Sequence, residues 1–590
     1  MTRFLITSLV CASLFLCSSG FSYSLSKVST LYVPAYDATD NAVYGFNQGT
    51  VEQIAYDPQN KIVYAVGANI FHVIDVSNPN SMQIVYHKVY ANTDLTDIEF
   101  CGDHVFFAVD NDTNVESRLQ GTVYVLKKYQ KNNAAESLRE IHRIKVGAIP
   151  DMIKPTKDCR TVLVAIEAEA FGSGSAFQDP QGGVGVIKFP NGVEQPNTYT
   201  NLDFTAFNNR LTELEDQGVR FVYRENNNTF DRDVEPEYIT YNTDESIAYI
   251  GLQENNAIAE VNLITETITA IHGLGAKSWS NYKLDPSDKD GGIDLSNYDI
   301  KSFYLPDSIH FQTWMGTNII IMANEGDAKD YEDLIGWNEE VRGSKLAANV
   351  SNAIPHLVQT ALADDNRLGR LLFSKVDGLN SAGKYDNVYA YGGRSMTIRS
   401  VVSGMPVLYD SGGIIEEQIA KNFPDFFNSN GRSGDTPKEN MDGRSDNKGP
   451  ECESLETAVI GGRLIIFVGN ERPGSISIFS VGDDFSDTRY ESTYFGIPQS
   501  DVTFGSMYDQ RTLSEIDPED IRYVSPSDSP TNGPVIFVAG SVSGTLSILR
   551  VNVNDEPPVN DDNPGSGSSV LGSTNLLMLH LFVLLINCLY

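Results

Sequence analysis

The sequence predicts an all-β fold, a seven-bladed β-propeller with long inter-strand insertions. Three observations predict it. Short runs rich in Val, Ile, Tyr and Phe alternate apolar and polar residues with a period of two, as half-buried strands do. The turns between them are rich in Asp, Asn and Gly. The same unit of two or more strands recurs seven times along 590 residues, and stacking small sheets around a channel leaves only short, protected edges. Two separate β-sandwiches are the alternative, and the repeat crosses every boundary they would need.

The elements follow in chain order. VSTLYVPAY, from Val28, can supply the outer strand that closes the ring. The first copy is VEQIAYDPQNKIVYAVGANIFHVIDV from Val51. The second is TDIEFCGDHVFFAVDND from Thr96 with GTVYVLKKY, and the third is PDMIKPTKDCRTVLVAIEAEA from Pro150 with GGVGVIKF. PEYITYNTDESIAYIGLQENNAIAEVNL from Pro236 and PDSIHFQTWMGTNIIIMANEGD from Pro306 are the fourth and fifth. ECESLETAVIGGRLIIFVGNERPGSISIFSV from Glu451 and PEDIRYVSPSDSPTNGPVIFVAGSVSGTLSILRV from Pro518 complete the set. Insertions are expected at 191–235, 264–305, 328–390 and 403–448, and loops of that length usually carry function or are disordered.

Each copy has an acidic residue at the entry to its first strand: Glu52, Asp97, Asp151, Glu237, Asp307, Glu451 and Glu519. Another follows the second strand in most copies, at Asp110, Glu167, Glu254, Glu325 and Glu471, with Gly67 and Ser541 in the remaining two. First and second strands are antiparallel neighbours, so both positions fall at one edge of the sheet. In a propeller that edge is one mouth of the channel. Carboxylates gathered there repel one another and raise one another's pKa unless a cation compensates. An oxygen-rich set without a His/Cys cluster suits Ca²⁺ better than zinc, copper or haem. Glu237, Glu325, Asp327, Glu451 and Glu471 are the candidate metal ligands. A second calcium reading falls on LDPSDKDGGIDLSNYD (284–299), where an EF-hand register places Asp288, Asp290 and Asp294 at ligand positions but Pro286 and Asn297 at the first and last.

The ends read as processing signals. Arg3 precedes FLITSLVCASLFLC, and Ser18 and Gly20 supply the small residues of a cleavage site, so residues 1–20 are an expected signal peptide. The propeller domain is placed at 28–551. A polar linker (552–566) leads to an apolar tail (567–590) whose last fifteen residues would reach about 22 Å as a helix, short of a hydrocarbon core of about 30 Å. Small residues, a polar spacer and a hydrophobic terminus form a glycosylphosphatidylinositol (GPI) signal, with Ser566 or Gly565 as the attachment residue. The expected location is the outer face of the cell membrane, with shedding into the extracellular matrix as a further possibility.

Export sorts the cysteines. Cys101, Cys159 and Cys452 remain in the mature chain, allowing one pair and a free thiol. Cys101 and Cys159 occupy the first turns of consecutive repeats and form the candidate pair, although equivalent points on adjacent blades can exceed the roughly 7 Å that a bridge spans. Sequons at Asn111, Asn227 and Asn349 can carry glycan. Asp and Glu number 78 against 43 Lys and Arg, a formal charge of −35. That field repels phosphate backbones and anionic lipid and concentrates cations, so no nucleic-acid partner is expected and membrane contact only through the lipid anchor.

IPDMIKPTKD, DVEPEYITYNTDESIAYIGLQENNAIAEVNL, ANEGDAKDY, YGGRSMTI, GRSDNKGPECE and GNERPGSISIF, spread from about residue 45 to 551 in the same order and spacing, resemble the mesenchyme-specific cell-surface glycoproteins of biomineralising animals, which share a choice-of-anchor I domain. The resemblance implies a seven-bladed propeller, lipid-anchored surface display and handling of calcium or a calcium-mineral precursor in shell or skeleton formation. The chain departs from the family pattern at Ile166-Glu167-Ala168-Glu169, at Cys452 and at Gly540-Ser541, which thins the acidic ring. Two other readings stand beside it. One is a metal-dependent phosphatase using the channel carboxylates, with Arg394, Arg444 and Arg472 on substrate phosphate. The other is an adhesion scaffold. No GxSxG elbow, HExxH or P-loop is present.

Overall fold

The computed structural model describes residues 21–111 and 113–554. The expected signal peptide, the apolar tail and Ser566 or Gly565 lie outside the described residues, as does the linker beyond 554. Seven four-stranded antiparallel sheets make up the fold, and they are the blades of a β-propeller. Their first strands are Gln53–Asp57, Ile98–Cys101, Pro150–Pro155, Pro236–Tyr241, Ile309–Trp314, Cys452–Ile460 and Pro518–Val524. The second strands, among them Ile62–Gly67, Thr161–Ile166 and Val535–Gly540, are apolar almost throughout because blades cover both their faces. Outer strands such as Gln83–Val89 face solvent and are correspondingly polar. Apolar clusters join successive blades; Tyr64, Phe71 and Phe107, for example, pack between blades one and two.

The N-terminal strand Ser22–Tyr32 pairs with Thr545–Asn554 and completes the seventh blade. The ring is thus closed as VSTLYVPAY suggests, with a strand that begins six residues earlier. Three of the expected insertions start too soon. Thr198–Asp203, Thr267–Gly273 and Val407–Asp410 are the outer strands of blades three, four and five. Such strands are half-exposed and mixed in composition, so their periodicity is weaker than that of the inner three.

Strand direction decides where the true insertions lie. In an antiparallel blade the second-to-third connection and the link to the next blade emerge at the edge where the first strand begins. Segments 204–235, 274–308, 325–394, 411–451 and 496–517 are connections of these two kinds, so all of them rise from the acidic face. Two of them build an additional five-stranded sheet, Ala276–Ser278, Lys301–Phe303, Tyr389–Ala390, Leu372–Ser374 and Glu340–Arg342 in that order, with its own core around Trp279, Leu362 and Phe373. First-to-second turns lie on the opposite face. There Cys101 and Cys159, whose Cα atoms are 5.7 Å apart, are joined by a disulfide, and Cys452 is free and buried. Asn227 and Asn349 are exposed; the Asn111 amide donates to the Gln120 carbonyl at 2.5 Å.

Candidate functional site

Strand register aligns the blades at the acidic face. Pro150 pairs with Ile166, Pro236 with Leu252, Cys452 with Asn470 and Pro518 with Gly540. The residue after the first member of each pair is therefore equivalent from blade to blade: Asp151, Glu237, Glu453 and Glu519. Blade six contributes Glu453 to the channel ring. Glu451 belongs to the preceding position, occupied elsewhere by Ile149 and Asp517, and all three have positive φ (51°, 45° and 59°). The first residues after the second strands are Glu167, Gln253, Glu325, Glu471 and Ser541, so Gln253 takes the place assigned to Glu254, which is one residue on. The misplacement comes from the alignment on Pro: blade six has Cys452 where the others have Pro, and the sequence alone gives no register there.

The five candidate ligands do not form one site. Glu325, Glu451 and Glu471 do converge, each offering an oxygen within 4.8 Å of the others. Asp327 reaches them through Lys448, whose ammonium lies 2.7 Å from Glu325 Oε1 and 2.9 Å from Asp327 Oδ1. Glu237 is on the far side of blade five, among Glu254, Glu167, Asp307 and Asp151. The two sides also differ in charge. On the blade-six side basic groups stand among the acids: Arg444 donates to Glu451 Oε1 at 2.6 Å, and Arg472 Nε lies 3.1 Å from Glu451 Oε2 and is also paired with Glu471. Burial pushes the Glu451 carboxyl up, but a hydrogen bond from Glu471 and the charges of Lys448, Arg472 and Arg444 outweigh it and hold its pKa well below the usual range. Burial and the Glu451 charge push Glu471 well up. Lys448 already fills the role a cation would have at Glu325.

On the other side, among the described residues, compensation is sparser. Glu237 is pushed well up by burial and then by Glu254, Glu167, Asp307 and Asp151, and Glu167 likewise by burial and four carboxylates. Lys329 is the basic group that acts on Glu254, and its ammonium is paired with Glu235. Glu237 and Glu254, 9% and 6% exposed, each keep an Oε2 with no hydrogen-bond partner, as does Glu453. Beside them the channel holds a cavity of about 60 Å³ lined by Asp97, Asp151, Asp307, Ser454 and Glu519 among others, room for about two waters or for one bare ion bound directly by the carboxylates. The larger depression of about 760 Å³ is at the opposite mouth, where Lys154 pairs with Glu99, and its charge is mixed. A donor set of carboxylate oxygens alone fits a hard divalent cation. Arg394 is fully buried, with its guanidinium spent on Glu416 and on the carbonyls of Asp285, Ser445 and Asn447. It is not free to meet a phosphate.

The choice-of-anchor I domain model matches residues 52–484, which is most of the ring. The chain belongs to the choice-of-anchor I domain family. Gigasin-3a of Magallana gigas is 41% identical over 198 residues, 33% of this chain and 69% of that protein. The mesenchyme-specific cell surface glycoprotein of Strongylocentrotus purpuratus is 35% identical over 313 residues, 49% of this chain and 40% of that one; the match thus takes in less than half of the sea-urchin protein. Among solved structures, the Cps50 (Swd1) β-propeller domain aligns over 90% of this chain and 100% of its own at 6% identity and a TM-score of 0.40. The Pan2 WD40 domain of Neurospora crassa aligns over 89% and 95% at 8% identity and 0.39. The blade count rests on the strand pairings themselves. For the family member described here, the register adds Glu453 and Asp517 to the residues the sequence singles out. Glu453, Glu471 and Asp517 form a second close carboxylate group, and its signal in the sequence is the acidic residue on either side of the Cys452 and Pro518 positions.

Proposed function

We propose that this protein is a GPI-anchored glycoprotein of the cell surface whose propeller binds calcium ions, or a calcium-mineral precursor, at the acidic mouth of its channel, and that it acts in the deposition of a calcium-based mineral. The observation that carries the reading is the sparsely compensated half of the ring: Glu237 and Glu254 are buried and lack a partner on one oxygen each, and the charges acting on Glu237 are those of four other carboxylates. A divalent cation there supplies the missing charge and accepts the orphan lone pairs. The relatives, one of them named as a cell surface glycoprotein, come from mineralising animals, which supports both the location and the mineral. Exposed Asn227 and Asn349 supply glycan acceptors on the same molecule.

The test is calcium titration of the purified ectodomain by calorimetry, with melting followed in parallel. A ligand that binds only the native state stabilises it by about 2.7 kcal/mol at a hundredfold excess over its dissociation constant. Glu237→Gln/Glu254→Gln, which keeps side-chain volume, is expected to remove the channel component of binding while the chelated protein stays folded. Undiminished calcium binding in that variant would refute the channel as the site.

A further inference from the structure

We propose that a second calcium site, independent of the channel, is formed where the insertion before blade five meets the insertion before blade six, from Asp285, Asp290 and Asp442 with Glu416 beside them. The first three each offer an oxygen within 4.8 Å of the others. Two oxygens on one Ca²⁺, each at 2.3–2.6 Å, lie no more than about 5.2 Å apart, so one ion can touch all three. Asp285 (0% exposed) and Asp442 (4%) are buried and Asp290 partly so.

Acidic residues meet on many surfaces without an ion; here the surroundings point to one. Glu416, on the helix Ile414–Asn422, is fully buried, and its Oε1 is held by Arg394 and by the Asn428 amide at 2.8 Å each. Its Oε2 has no partner, and its charge acts on both Asp285 and Asp442. Asn428 is also fully buried. Its Nδ2 donates to Glu416 and to Ser445 Oγ, which in turn donates to Asp442 Oδ1 at 2.5 Å. That fixes the amide and leaves Asn428 Oδ1 without a donor, as Asp290 Oδ2 is. Three oxygens are thus unpartnered around one cluster. Among the described residues, Arg394 is the one basic group paired with any of the four acids. Oxygen donors only, with three carboxylates close enough to share one ion and the unpartnered oxygens of Glu416 and Asn428 beside them, suit a hard ion of high coordination number, Ca²⁺ over Mg²⁺ or zinc.

The site is not the EF-hand register of 284–299. Asp288 is turned to Arg370 at 2.8 Å, and Asp294 accepts from Ser296 while its backbone N–H donates to Asp285 Oδ2 at 2.6 Å. Only Asp290 of those three joins the cluster, where it meets Asp285, outside the EF-hand ligand positions, and Asp442 from a different insertion.

The experiment is a terbium soak of ectodomain crystals, Tb³⁺ replacing Ca²⁺ and scattering anomalously, with calcium calorimetry in solution. A peak among Asp285, Asp290 and Asp442 is expected, and its absence overturns the proposal. Asp290→Asn can still accept the hydrogen bond from Gly292, so the variant should fold, lose one calcium equivalent or at least tenfold in its affinity, and lose calcium protection of 284–299 from proteolysis. Asp442→Asn is expected to do the same. Unchanged binding in both variants overturns the proposal, whereas Glu237→Gln/Glu254→Gln should leave this site intact, so failure here and failure of the channel reading are told apart.

Discussion

Replacing Asp151 with Asn should make the calcium-free protein more stable at pH 7.5 and leave it unchanged near pH 4. Asp151 is in the ring of first-strand carboxylates, and burial pushes its pKa from 3.8 up to about 6. A folded-state pKa above the unfolded value means that stability is fully present below 3.8 and is lost as pH rises through about 6, because the unfolded chain ionises first. The shift of roughly two units is worth about 3 kcal/mol. For a body of about 530 residues, an unfolding entropy of roughly 2.1 cal/mol/K per residue makes that about 3 °C in Tm. The assay is differential scanning calorimetry of wild type and Asp151→Asn in chelator from pH 4 to 8. The difference should open from zero to about 3 °C across pH 4–6 and stay level above. Relief of Glu167 and Glu237, both of which feel the Asp151 charge, adds to it. Calcium requires the ionised ring, so it should raise the wild-type Tm more at pH 7.5 than at pH 5. An Asn variant that melts no higher than wild type at pH 7.5 would show that the ring is compensated by groups other than those described.

Lys448→Met leaves Glu325 and Asp327 without their shared partner and should cost about 3–5 kcal/mol, with much of it recovered in Lys448→Met/Glu325→Gln; urea unfolding of the single and double variants measures it. Loss of the Cys101–Cys159 bond, which closes a loop of 58 residues, should cost about 4 kcal/mol in Cys101→Ala/Cys159→Ala, and peptide mapping of the wild type should find that pair linked and Cys452 reduced. Phosphatidylinositol-specific phospholipase C should release the protein from cells; retention in the membrane pellet while an anchored control is released would exclude the GPI anchor.

What could be read from the sequence followed the repeat. Second strands such as Ile62–Gly67 and Val535–Gly540 are continuous apolar runs because neighbouring blades cover them, and seven such runs with turns at regular offsets are enough to count blades. Outer strands lack that signal: Thr267–Gly273 is buried at one position only and reads as loop. The acidic mouth was legible as a pattern, since strand alternation places Asp151, Glu237 and Glu519 alike. Its details were not. Blades three, four, six and seven share a register shift just after the first strand residue, but blade six carries Cys452 where the other three carry Pro, so its alignment had no marker in the sequence. Basic partners were missed for a different reason. Lys448 and Arg444 come from an insertion, and only the fold brings residue 448 to residue 325.

Those insertions explain the asymmetry of the ring. A symmetric propeller would leave every blade's carboxylates equally uncompensated, and seven buried acids around one channel would destabilise the native state whenever they ionised. Here the insertion before blade six delivers Lys448 and Arg444, and with Arg472 they settle Glu325, Glu451 and Glu471 as an internal salt-bridge network. Such a network gains little from a metal ion, because an entering cation would have to displace charges already paired. Blade four receives Lys329, which goes to Glu235, and its Glu237 and Glu254 keep orphan oxygens. The insertion before blade six also carries Asp442 to Asp285 and Asp290, and among the described residues no lysine or arginine is paired with those three. One segment thus neutralises one acid cluster with its own lysine and arginine and completes another that has no cation. That contrast is why the proposed cation sites fall on particular residues, which the charge of the whole chain, acidic nearly everywhere, could not single out.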